Sequence, residues 1–125
     1  MEGILHQQID ELISYLLAIV GENPKAYSDI TGVQFFMQQY SPDRLMSAIV
    51  SRVCPYKDRV IARDDRFFME HKEVFDGLPD ESVRCFTDLW RGGLLNDDEY
   101  KETIFKFFDN FVVCAEQYMK NKKRV

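Results

Sequence analysis

The sequence predicts an all-α chain: a compact bundle of six to eight helices, several of them short, closed by a long C-terminal helix. Three observations carry this reading. Apolar residues recur at spacings of three and four in several segments, as in helices that bury one face. Cap-and-proline pairs, Asn23-Pro24 and Ser41-Pro42, stand where such helices would begin. No segment alternates apolar and polar residues for long enough to suggest a strand.

Residues 3–20 read as the first helix. Leu5, Ile9, Leu12, Leu16 and Ile19 form a seam, Ile13, Leu17 and Val20 widen it, and Gly21 is the stop. Asn23 then caps a second helix, with Pro24 in its first turn and Tyr27, Ile30, Phe35, Phe36 and Met37 as apolar candidates toward Tyr40. Thr31-Gly32 weakens its middle, because glycine inside a helix costs about 1 kcal/mol relative to alanine. The stretch reads as helical, with two short helices as the alternative.

Ser41-Pro42 opens a third helix with Leu45, Met46, Ile49, Val50 and Val53 on one side, and Cys54-Pro55 interrupts it. A short helix over 55–62 and another from about Asp64 to Phe75 follow, then a turn at Gly77-Leu78-Pro79. Asp80 to Arg91 is helical, with Val83, Phe86, Leu89 and Trp90 facing inward, and Gly92-Gly93 ends it.

The last helix is the best specified. Asn96 is its expected cap, Glu99 reaches back to the Asn96 amide, and Leu95 and Tyr100 form a hydrophobic staple. Asp97 and Asp98 complement the positive end of the helix dipole, while Lys120, Lys122, Lys123 and Arg124 complement the negative end. Tyr100, Ile104, Phe107, Phe108, Phe111, Val112, Ala115, Tyr118 and Met119 form its apolar stripe, and Asp97–Lys101 and Glu102–Lys106 are its expected surface pairs.

With 125 residues the chain is read as one domain, 1–125. Within it, 1–21 is an amphipathic helix available as an interaction element, and 120–125 is a basic tail. Ten Phe, six Tyr and one Trp supply a substantial core without disulfides or metal. A net charge of -5 disfavours nucleic-acid binding, which normally needs a basic face. Cys54, Cys85 and Cys114 lack the spacing of a zinc or redox motif and read as buried, reduced thiols. Residues 1–11 contain Glu2, Asp10 and Glu11 but no Lys or Arg, unlike a secretory leader. The apolar run Ile13–Val20 is too short to span a bilayer. The expected location is intracellular, cytoplasmic or virion-associated, with no membrane partner.

Chemistry leaves few candidates. His6 and Asp10 share a helix face, but two ligands do not close a metal site. His71 lies among Glu70, Lys72, Glu73 and Asp76 without an obvious pocket. Asp58, Asp64 and Asp65 are matched by Arg59, Arg63 and Arg66 within one turn, so local ion pairing accounts for them. No nucleophile elbow, phosphate-binding glycine loop or EF-hand is present. Phe-Phe-Met occurs at 35–37 and 67–69, but the flanks do not sustain a repeat. The expectation is a non-enzyme with no catalytic residues, no cofactor, no metal and no small-molecule substrate.

Tyr40-Ser41-Pro42, Pro55-Tyr56-Lys57-Asp58, Arg63-Asp64-Asp65 before Phe67-Phe68, Lys72 with Phe75 and Leu78-Pro79, and Ile104 to Val112 together form a pattern of cores and caps. Over about residues 38–118 this pattern resembles small uncharacterised all-helical proteins of nucleocytoplasmic large DNA viruses. The resemblance implies a helical fold and a viral protein, and carries no functional residues.

Three functions follow as expectations. The first is a protein-interaction or structural module that self-associates or binds a protein partner through the seam Leu5, Ile9, Leu12, Leu16 and Ile19. The second is a nucleic-acid-associated or regulatory factor using Arg52–Arg66 and the basic tail. The third is a helical-bundle antagonist of host signalling with a groove for an amphipathic helix.

Overall fold

The computed structural model describes residues 2–75, 78 and 80–123, and every regular element among them is helical. In order these are α1 (Glu2–Ile19), α2 (Pro24–Met37), α3 (Pro42–Arg52), a 3-10 turn at Cys54–Tyr56, α4 (Lys57–Ile61), α5 (Phe67–Glu70), a second 3-10 turn at Lys72–Phe75, α6 (Asp80–Gly92) and α7 (Asp98–Lys123). The chain is therefore an all-α bundle with several short pieces and a long closing helix. α1 packs on α2, α3 and α7; α3 and α4 also pack on α7, and α2 on α6. No described helix is long and apolar enough to cross a membrane.

Two caps hold as read. The Asn23 side chain accepts from the Ala26 amide at 3.1 Å and Ser41 Oγ accepts from the Arg44 amide at 3.3 Å, with Pro24 and Pro42 each pre-set for the first turn. α2 runs unbroken through Thr31-Gly32. Its inner face explains why: Ala26 and Ile30 are buried, and Val33 and Met37 pack against the core. That burial outweighs one glycine.

Other local expectations are corrected. Asp97, not Asn96, caps α7: Asp97 Oδ1 accepts from the Glu99 amide at 2.9 Å and the Tyr100 amide at 3.2 Å. At Asn96 the chain is still turning out of α6, its amide donating to Gly93 O at 3.0 Å. Asn96 Oδ1 instead accepts from Lys101 Nζ at 3.1 Å. The stop of α6 at Gly92-Gly93, by contrast, stands as expected; of the two, Gly93 is the position that needs glycine, because a Cβ there would come within 2.8 Å of Leu89 Cα. The helix expected from Asp64 to Phe75 is two pieces. Asp64 Oδ1 accepts from the Arg66 amide at 3.0 Å, so the turn there delays helix until Phe67. The chain then breaks at His71, whose ring stacks on Tyr56 at 4.1 Å. Of the Gly77-Leu78-Pro79 turn, Gly77 and Pro79 lie outside the described residues, as do Arg124 and Val125 of the basic tail and the side chains of Lys122 and Lys123.

Surface pairs along α7 give way to long-range ones. Lys101 Nζ reaches Asp65 at 2.8 Å and lies 4.9 Å from the Trp90 ring centroid. Glu102 pairs with Arg63 rather than Lys106. The core is an aromatic cluster centred on Phe68, whose ring contacts those of Phe67, Phe75, Phe86, Trp90, Phe105 and Phe108. Phe105 lies outside the stripe read from the sequence yet is buried. α7 is covered by α1, α3 and α4, so its apolar arc is wider than a single seam. Trp90 Nε1 donates to Asp65 O at 2.9 Å, giving the buried indole its polar partner.

Candidate functional site

The expected interaction seam on α1 faces inward. Leu5, Ile9 and Leu16 are buried in the chain's own core, and Leu12 and Ile19 are partly buried against it. α1 is covered by three helices, which takes up both halves of its broad apolar stripe. Leu5, Ile9 and Leu16 therefore belong to the core, while Leu12 and Ile19 keep part of their surface.

The basic segment 52–66 is folded into ion pairs. Arg59 donates from Nε to Asp64 at 2.7 Å and from Nη2 to Glu70 at 2.8 Å. Its Nη1 lies 2.6 Å from His71 Nε2, which must accept because a guanidinium only donates. Arg63 donates to Glu102 and Asp109 on α7. The carboxylates hold both guanidinium pKa values above their ordinary range. The Arg66 amide and the Arg59 guanidinium hold the Asp64 carboxyl below its ordinary value. A phosphate at Arg59 or Arg63 would have to displace carboxylates already bound bidentately or in pairs.

Other chemical candidates do not converge. His6 Nδ1 lies 3.4 Å from Asp10 on α1, far in sequence from His71. No group of three or more His, Cys, Asp or Glu among the described residues is placed to hold a metal ion. All three cysteines are free thiols, and burial raises the pKa of each, Cys54, Cys85 and Cys114. At neutral pH they are therefore protonated and poorly nucleophilic.

The feature left over is α2. The thirteen residues from Ile30 to Pro42 carry no charge, in a chain that is 30% charged. While Ala26, Ile30, Val33 and Met37 turn inward, Tyr27 is 46% exposed and Phe35 is 67% exposed. Ser28, Thr31 and Gly32 lie exposed between those two rings, and a Cβ added at Gly32 would meet nothing within 4 Å. Phe36 packs edge-on against Tyr40 at 5.3 Å, and Arg44 covers the Tyr40 ring at 5.4 Å. A surface helix normally shows solvent a charged face; this one shows an aromatic and uncharged face. Tyr27 and Phe35 read from the sequence as core candidates. The uncharged run was the signal that set Phe35 apart; Tyr27 lies outside it, between Lys25 and Asp29.

No protein-family model, curated protein or solved structure matches this chain.

Proposed function

We propose that this chain is a non-enzymatic protein-interaction module that self-associates through the outer face of α2. The observation that carries the reading is the exposed Phe35 on a helix face without charge. Tyr27 and Phe35 lie four residues either side of Thr31. An antiparallel two-fold pair centred on Thr31 sets Tyr27 of each copy against Phe35 of the other, as an isologous interface requires. Ser28 and Gly32, being small, let the two backbones approach closely. Asp29 is the one charged residue between Tyr27 and Phe35.

The test is molar mass by light scattering across a concentration series. The expected result is a dimer for the natural chain and a monomer of unchanged helicity for Phe35→Glu. A natural chain that stays monomeric to millimolar concentration overturns self-association, as does a Phe35→Glu variant that still dimerises.

A further inference from the structure

The opposite face of α2 borders a cavity of about 160 Å³ between α1, α2, α6 and α7. Leu12, Ile30, Val33, Met37, Phe86 and Phe108 contribute to its wall. Among the described residues that line it, Ser82 is the only polar one. Its hydroxyl is already engaged, donating to Asp29 O at 3.2 Å. Among the lining side chains, that hydroxyl is thus the one group left to accept from a water, which needs two to four polar partners to settle in a cavity. An apolar space of roughly this volume is large enough to hold a benzene ring. The void also leaves its lining side chains without contact atoms on one side, so a guest of matching shape restores dispersion contacts.

The cavity is not sealed from the surface groups around it. Met37 and Ile49 line both it and a wider groove of about 440 Å³ along α3. That groove is polar as well as apolar, with Asp43, Arg44 and Arg52 on its walls. A molecule with a hydrocarbon body and a polar end therefore finds an apolar pocket beside a groove with charged side chains on its walls.

We propose that this cavity is a ligand site for the hydrocarbon body of a small molecule, about six carbons in size, either free or as the tail of an amphiphile whose head stays in the groove. The ligand packs against Val33 and Met37 from α2, Leu12 from α1 and Phe86 from α6, and makes no hydrogen bond inside the chamber. This site is independent of self-association, because it uses the inner face of α2 and leaves Tyr27 and Phe35 untouched.

The test titrates the full chain, isotope-labelled at its Ile, Leu, Val and Met methyl groups, with benzene and separately with hexanoate. Saturable shifts are expected at Leu12, Ile30, Val33 and Met37, with none at the exposed Ile61 and Val113. Shifts with benzene that spare Leu45, a groove residue outside the cavity, identify a site for free hydrocarbon. Shifts with hexanoate that include Leu45 identify a site for an amphiphile tail. Val33→Phe fills the chamber from α2 and Val83→Phe fills it from α6; whichever folds should weaken binding at least about tenfold. The proposal is overturned if neither ligand gives saturable shifts at the cavity methyls. It is equally overturned if those shifts persist at full affinity in the filled variants.

Discussion

Arg63 grips Asp109 with two parallel hydrogen bonds, Nη1 to Oδ1 at 2.9 Å and Nη2 to Oδ2 at 2.8 Å. Glu102, two turns earlier on α7, takes Nε at 2.9 Å and shares Nη2 at 3.1 Å. The same residue has φ 56°, the left-handed region, which costs a non-glycine residue about 1–2 kcal/mol. One side chain thus holds the strained loop after α4 against the final helix.

Arg63→Ala removes the grip and keeps the strain, so it should destabilise the chain by about 1–3 kcal/mol. Arg63→Gly removes both. After allowing for glycine's freer unfolded state, it should be more stable than Arg63→Ala by about 0.5–1 kcal/mol. Urea unfolding of the two variants decides this. A glycine variant no more stable than the alanine variant shows that the backbone is not strained.

Asp97→Ala should cost about 1 kcal/mol, since it leaves the Glu99 and Tyr100 amides uncapped. Asn96→Ala loses only an exposed contact with Lys101 and should cost less than about 0.5 kcal/mol. The denaturation midpoints of the two variants check the order. The reverse order would return the cap to Asn96.

Phe68→Ala should cost about 3–5 kcal/mol, because the ring is fully enclosed and touches six other aromatic rings. Phe35→Ala should stay within about 0.5 kcal/mol at concentrations where the chain is monomeric. Circular dichroism during thermal unfolding separates them. Comparable losses would mean that Phe35 is part of the core.

Gly32→Ala should act with opposite signs on folding and on association. In the monomer it should add about 0.5–1 kcal/mol, because alanine is the better helix former and its Cβ meets nothing. In the dimer it should weaken pairing by holding the two backbones apart. Thermal unfolding at low concentration reads the first effect, and sedimentation reads the second. Association strengthened by the substitution would contradict close helix approach at this position.

The Asp64 carboxyl has a lower pKa in the folded chain than in the unfolded one. Its contribution to stability is thus fully present above the unfolded-state value of about 3.9. It is lost as pH falls through the lower folded value. Asp64→Asn should therefore flatten the acid limb of a stability-against-pH curve measured by urea unfolding. An unchanged acid limb would show that the Arg66 amide and the Arg59 guanidinium do not favour the ionised form.

Much of the architecture was legible because its signals are local. Asn23 and Ser41 cap helices through amides three residues away, so each motif carries its own meaning wherever it folds. The aromatic stripe of α7 and the seam of α1 likewise announce helices with buried faces. The outer face of α2 was half legible: its lack of charge is a sequence property, but whether Phe35 points to core or to solvent is not.

Tertiary structure decided what covers each face. Periodicity identifies the apolar side of α1 but not how many neighbours enclose it; three helices pack on it and bury Leu5, Ile9 and Leu16 of its seam. Lys101 and Glu102 had suitable partners one turn away on α7, yet their charges went to Asp65 and Arg63. Long flexible side chains pair with whatever the fold brings near, and an exposed one-turn pair gains only a few tenths of a kcal/mol. The local code therefore set where helices begin and which stripes are apolar. The three-dimensional neighbourhood set which stripes are enclosed, which charges meet, and where a cavity is left.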